Sequence, residues 1–177
     1  MGKTMYQAGW RRLMLGLLLA GSSLLLTRPG LAQNAEPKGK KLLTISGRIG
    51  AGQPGAKVAF DLARLESLPQ HSFTTQTPWQ DKPVQFTGPL LRDVLASVKA
   101  QGSQLKATAL NDYKVSLPVS DSQRFDVVLA LRINGELIPV RHKGPLFVVY
   151  PYDSDKELRS TLYYSRSIWQ LKAIEVE

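Results

Sequence analysis

The chain has 177 residues, 23 Lys and Arg against 14 Asp and Glu, and no cysteine. Without cysteine, this chain alone can supply no thiolate nucleophile, thiolate zinc site or iron–sulfur cluster, and its two histidines, His71 and His142, exclude a three-histidine metal site. The net charge of +9 does not point to nucleic acid, because no basic run is longer than Lys40-Lys41 in the mature part and aromatic and basic residues do not interleave.

Residues 1–32 read as a cleavable export signal. Lys3, Arg11 and Arg12 form a positive start, and Leu13 to Leu26 is almost wholly apolar. Gly30-Leu31-Ala32 then places small residues before a cut ahead of Gln33. A membrane span needs roughly 20 apolar residues, so this run is short for one, and no stable span is expected once the signal is removed. Trp10-Arg11-Arg12-Leu13-Met14-Leu15, with Arg28, partly resembles a twin-arginine motif. The leucine-dense apolar run suits the general secretion route, which is the reading adopted. The expected location is therefore the periplasm or the medium. Cleavage removes four basic residues and leaves 145 residues with a net charge of +5. That length suffices to bury roughly two-thirds of the unfolded surface in one core.

Residues 33–41 are polar, with Pro37 and Gly39, and read as a flexible leader to a single domain over 42–177. Leu42 to Ile49 alternates as a strand. Val58-Ala59-Phe60 is a short apolar run, and Asp61 can cap a brief helix through Leu68 that stops at Pro69. His71 to Thr77 and Lys82 to Phe86 read as strands on either side of Pro78-Trp79. Pro89 suits the first position of a helix whose apolar face carries Leu90, Leu91, Val94, Leu95 and Val98, with Gly102 as its stop. Leu105–Leu110 and Tyr113–Leu117 are strands joined by a tight Asn111-Asp112 turn. Phe125 to Ile133 is the longest apolar run of the mature part, and Asn134-Gly135 is a hairpin turn into Glu136–Val140. Leu146–Tyr150 reads as a buried strand and Trp169–Val176 as the last one. This order predicts one α+β domain with a mixed sheet and more strand than helix.

Several of these segments, in this order, resemble the oxidoreductase molybdopterin-binding domain of the sulfite oxidase family. They are Leu43-Thr44-Ile45-Ser46-Gly47; the stretch from Phe86-Thr87-Gly88-Pro89 through Leu95; Asn111-Asp112-Tyr113 through Pro118; Val128-Leu129-Ala130 with Asn134-Gly135-Glu136; Gly144-Pro145-Leu146 through Pro151; and Trp169 through Val176. The resemblance implies a mixed α+β fold and a pocket for molybdopterin. It also implies a cysteine ligand to molybdenum near Thr75, where this chain reads Thr74-Thr75-Gln76-Thr77. A hydroxyl is a poor substitute for that soft anionic ligand. In catalytic relatives a His-Gly-x-Pro-Leu segment lines the cofactor pocket. Here Lys143 stands between His142 and Gly144.

The candidate ligand-binding residues follow from these segments. Arg141, His142 and Lys143 form a basic loop that can clamp a phosphate or carboxylate, or stay solvated. Thr75 occupies the neighbourhood of the missing ligand. Trp79 can stack on a flat ligand or plug the core edge. Asn111 and Tyr113 can edge a pocket, although a tight turn explains the Asn-Asp pair as simply. Tyr150 can line a ligand mouth with Tyr152, Tyr163 and Tyr164, or be buried at a strand end. No Gly-x-Ser-x-Gly elbow supports a hydrolase. The sequence is read as an exported non-catalytic binding protein for a small anionic ligand or a periplasmic partner protein. No cofactor or metal is predicted, and molybdopterin enters by resemblance only. The alternative is a periplasmic molybdopterin-dependent oxidoreductase lacking the usual cysteine.

Overall fold

The first and last strands of the fold lie side by side. In the computed structural model, which describes residues 37–50 and 55–177, β1 (Leu43–Gly47) pairs in parallel with β12 (Leu171–Val176). Residues 1–32, the expected export signal, and residues 33–36 of the expected leader lie outside the described residues. Antiparallel pairing adds β2 (Lys57–Phe60) beyond β1, and β5 (Gln104–Ala109) then β6 (Lys114–Pro118) beyond β12, in the order β2-β1-β12-β5-β6. A second sheet runs β3 (Gln70–Thr75), β4 (Val84–Pro89), β8 (Arg132–Ile133), β9 (Glu136–Leu137). A third runs β11 (Ile168–Trp169), β10 (Phe147–Val149), β7 (Val128–Ala130). Among the described residues, four short α-helices accompany the sheets of this α+β domain: α1 (Leu62–Glu66), α2 (Leu91–Ser97), α3 (Val119–Arg124) and α4 (Thr161–Arg166). Strand exceeds helix, as the sequence predicts.

Local chemistry explains many of the boundaries. In β1, Leu43 and Ile45 point into the core and are fully buried, while Thr44 and Ser46 alternate outward. Asp61 caps α1: one carboxylate oxygen accepts the Arg64 N–H at 2.9 Å, and the other accepts the Gly39 N–H at 2.8 Å. The capping residue therefore also ties the N-terminal segment to the domain, and these two N–H groups hold its pKa below the usual value. Asn134 and Gly135 both adopt positive φ, 51° and 84°, as a two-residue hairpin between β8 and β9 requires.

Several elements differ from the sequence reading: α3 and α4 have no counterpart in it, the strand expected over Glu136–Val140 stops at Leu137, and three further elements change as follows. Pro89 does not open the helix. It ends β4 opposite Gln70, beyond the point where pairing with β8 has stopped, and Leu90 takes the extended position before α2. The chain leaves α2 at Val98 and Lys99, so Gly102 serves another purpose: a side chain there would meet the Glu177 carbonyl oxygen at 2.2 Å. The apolar run Phe125–Ile133 is split at Leu131 between β7 and β8, which belong to different sheets. Finally, Trp169–Val176 is two strands. Gln170 turns the chain with φ 52°, passing it from the third sheet to the first. A bulge follows between Leu171 and Ala173, which places Leu171 and Ile174 on the buried side despite their odd spacing.

Candidate functional site

The loop between β3 and β4 is held by hydrogen bonds to Asp153 and within itself. Thr75, at the end of β3, is buried, and its hydroxyl accepts the Asp153 N–H at 3.0 Å. The Gln76 N–H donates to the Asp153 carboxylate at 2.7 Å. This bond, with the Arg159 guanidinium at 2.7 Å, holds the Asp153 carboxyl below the usual range. The Thr77 hydroxyl accepts the Trp79 N–H at 3.3 Å. Trp79 is thereby set edge-on among Phe147, Tyr152, Tyr164 and Trp169, with ring centroids 5.5–6.3 Å away.

The basic loop follows β9. Val140–His142 forms a single 3-10 turn, Lys143 adopts φ 76°, and Gly144 returns the chain toward β10. Gln170 pins this loop at two points: its side chain donates to the Val140 carbonyl at 2.7 Å, and its N–H donates to the Lys143 carbonyl at 3.0 Å. Arg141, His142 and Lys143 line a groove of about 610 Å³, together with Gln80, Glu136, Trp169 and Gln170. The Lys143 ammonium stands 5.6 Å from the centre of the Trp169 ring.

The turn after β5 borders a second groove. Asn111 accepts the Tyr113 N–H at 3.2 Å, and Asp112 takes φ 66°, so the tight turn forms as predicted. The groove holds about 400 Å³ and is lined by Trp79, Asn111, Tyr113, Tyr164 and Trp169 among others. Trp169 lines both grooves. Six of the predicted residues thus fall on two adjoining grooves that share Trp169, a residue the sequence reading had only placed in a strand. An aromatic at the start of that strand was its sole signal.

Thr75 and Tyr150 stand apart from these grooves. Tyr150 is fully buried, and its hydroxyl donates to the Asp121 carboxylate at 2.7 Å. Arg166 donates to the same oxygen at 2.9 Å. Tyr152 is also fully buried and shares a hydrogen bond with Ser167, while Tyr163 donates to Glu157 at 2.6 Å.

Burial raises the pKa of Tyr150, Tyr152 and Tyr163 above the ordinary phenol value of about 10. The unfolded chain therefore releases these protons first as pH rises. The stability the phenols confer is complete below about pH 10 and is lost as pH climbs beyond it. The expected result is a urea midpoint that holds up to about pH 9.5 and falls above pH 10, less steeply in Tyr152→Phe. Denaturation followed by fluorescence across that range checks this; a midpoint unchanged at pH 11 contradicts it.

The chain is thus a cysteine-free α+β domain with a basic loop at a groove edge. The family model for the oxidoreductase molybdopterin binding domain matches residues 43–153, and the chain belongs to that family. A comparison with curated proteins returns no match.

The site's donor set does not fit molybdenum as the family's cysteine-containing enzymes hold it. The chain has no cysteine, and the Thr75 hydroxyl is buried and engaged by the Asp153 N–H. Among the described residues no group of three or more His, Cys, Asp or Glu is placed to hold a metal ion. Among the same residues, no helix is long and apolar enough to cross a membrane.

Proposed function

We propose that the protein is an exported, non-catalytic binding protein that takes a small anionic ligand in the groove beside Arg141, His142 and Lys143. One observation carries this reading. Arg92, Arg124, Arg132, Arg159 and Arg166 each pair with a carboxylate, whereas Arg141 and Lys143, like Arg48, form no ion pair among the described residues, and both line the groove. Guanidinium binds phosphate or carboxylate through two parallel N–H bonds, and a loop pinned by Gln170 holds it in place.

The test compares wild type with Arg141→Ala in a titration with inorganic phosphate and acetate. The variant loses about tenfold to a hundredfold in affinity, the range of a charge-assisted hydrogen bond. Its stability changes by less than about 0.5 kcal/mol, as expected of an exposed side chain. Equal binding by both proteins assigns Arg141 to an idle loop and overturns the reading.

Export is tested separately. Cleavage after Gly30-Leu31-Ala32 predicts a mature chain beginning at Gln33. Intact mass spectrometry of protein recovered outside the cytoplasm checks it; retention of residues 1–32 favours an uncleaved anchor.

Family membership favours one rival, a molybdopterin oxidoreductase whose metal relies on the dithiolene and oxygen ligands. Molybdenum and pterin fluorescence in protein purified from its native compartment would establish that rival.

A further inference from the structure

We infer that the anion held at Arg141 and Lys143 carries an aromatic ring, which seats in the adjoining groove between Trp79, Tyr113, Tyr164 and Trp169. The ligand class is an aromatic acid. This inference rests on the anion-site reading above and adds the chemistry of the rest of the molecule.

The two grooves divide charge from ring. The groove at Arg141 is lined by charged groups of both signs, Glu136 as well as Arg141 and Lys143. No charged residue lines the second groove, and four of its ten lining residues, Trp79, Tyr113, Tyr164 and Trp169, are aromatic. Asp112, the nearest acid on its turn, is taken up by Lys172 at 2.6 Å. Trp169 is the common wall, with the Lys143 ammonium 5.6 Å from its centroid and Trp79 at 5.5 Å. A molecule with its acid at Lys143 and Arg141 therefore meets aromatic surface next, where stacked and edge-on ring contacts are favourable.

Size and exposure point the same way. A cavity of about 150 Å³ accepts benzene, so 400 Å³ accommodates a one- or two-ring group. Tyr113 is 55% exposed and Trp169 38%, whereas Tyr150, Tyr152 and Tyr163 are buried. The two exposed aromatic residues thus both line the uncharged groove, and one of them, Trp169, also lines the basic one.

Calorimetry on the purified protein tests this with four probes: inorganic phosphate, acetate, naphthalene-2-carboxylate and neutral naphthalene-2-methanol. Naphthalene-2-carboxylate is expected to bind at least about tenfold more tightly than acetate and than the neutral alcohol. Tyr113→Ala, at an exposed position, should erase the margin over acetate while leaving acetate and phosphate unchanged. Arg141→Ala should weaken acetate and naphthalene-2-carboxylate by similar factors. If acetate and phosphate bind through Arg141 but naphthalene-2-carboxylate gains nothing, the aromatic inference is overturned and the anion site stands. If no probe depends on Arg141, both fall. A concentration-dependent dimer in sedimentation, abolished by Tyr113→Asp, would show that a second copy fills the groove and would also overturn the inference.

Discussion

Asp121→Ala is expected to lower the free energy of unfolding by about 3 kcal/mol, the low end of the cost of leaving one member of a buried ion pair alone. The Asp121 side chain is 7% exposed, and one of its oxygens accepts both the Tyr150 hydroxyl and the Arg166 guanidinium. Removing the carboxylate strands two donors. Tyr150 has no solvent access, so its hydroxyl is left unpaired in the core. Arg166 is 20% exposed and lies over the Tyr163 ring, which moderates its share of the penalty. In a domain of this size the loss corresponds to roughly 10 °C in Tm. Tyr150→Phe should cost less, about 1–2 kcal/mol, because Asp121 keeps its charge partner. Asp121→Ala and Tyr150→Phe combined should cost less than their sum, since the second change removes a donor the first has already stranded. Urea denaturation of the three variants measures this. Strict additivity, or a shift below about 3 °C for Asp121→Ala, would mean that the three groups are not one network.

Gly144→Ala should be of similar size for stability and should also abolish anion binding. A Cβ on Gly144 would lie 1.8 Å from the Ile138 carbonyl oxygen and 2.8 Å from the Pro139 carbonyl carbon. Both neighbours are backbone, so neither can turn aside as a side chain would. Each side of the contact is also anchored: the Ile138 N–H donates to Leu131 at 2.9 Å, and the Lys143 carbonyl accepts from Gln170 at 3.0 Å. Something must shift, at a cost of about 3 kcal/mol, the upper part of the range for forced overpacking. The element that gives is the short turn between those anchors, which carries Arg141, His142 and Lys143. Phosphate affinity should then fall by more than in Arg141→Ala, because all three groups move together. Measuring stability and phosphate binding on the same samples checks the coupling. A variant that loses stability but binds phosphate normally would show that the loop's geometry does not matter to the ligand.

What the sequence determined by itself was local. The alternation Leu43-Thr44-Ile45 specifies a half-buried strand, Asp61 a helix cap, and Asn134-Gly135 a hairpin, because each depends on neighbours within a few residues. The order of these segments also carried the family, which the match over 43–153 bears out. An apolar run, by contrast, records burial but not which sheet buries it, so Phe125–Ile133 reads as one strand and folds as two. The helices α3 and α4 are too short and polar to show a 3.6-residue apolar repeat, and their role emerges only when Asp121 and Arg166 meet Tyr150. The grooves were decided by tertiary structure alone. Trp79, Tyr113, Lys143 and Trp169 come from separate loops and strand ends, and the left-handed turn at Gln170 aims Trp169 between the basic loop and the Asn111 turn. Periodicity cannot encode such a convergence, because it is set by strand register and backbone kinks between segments far apart in the chain.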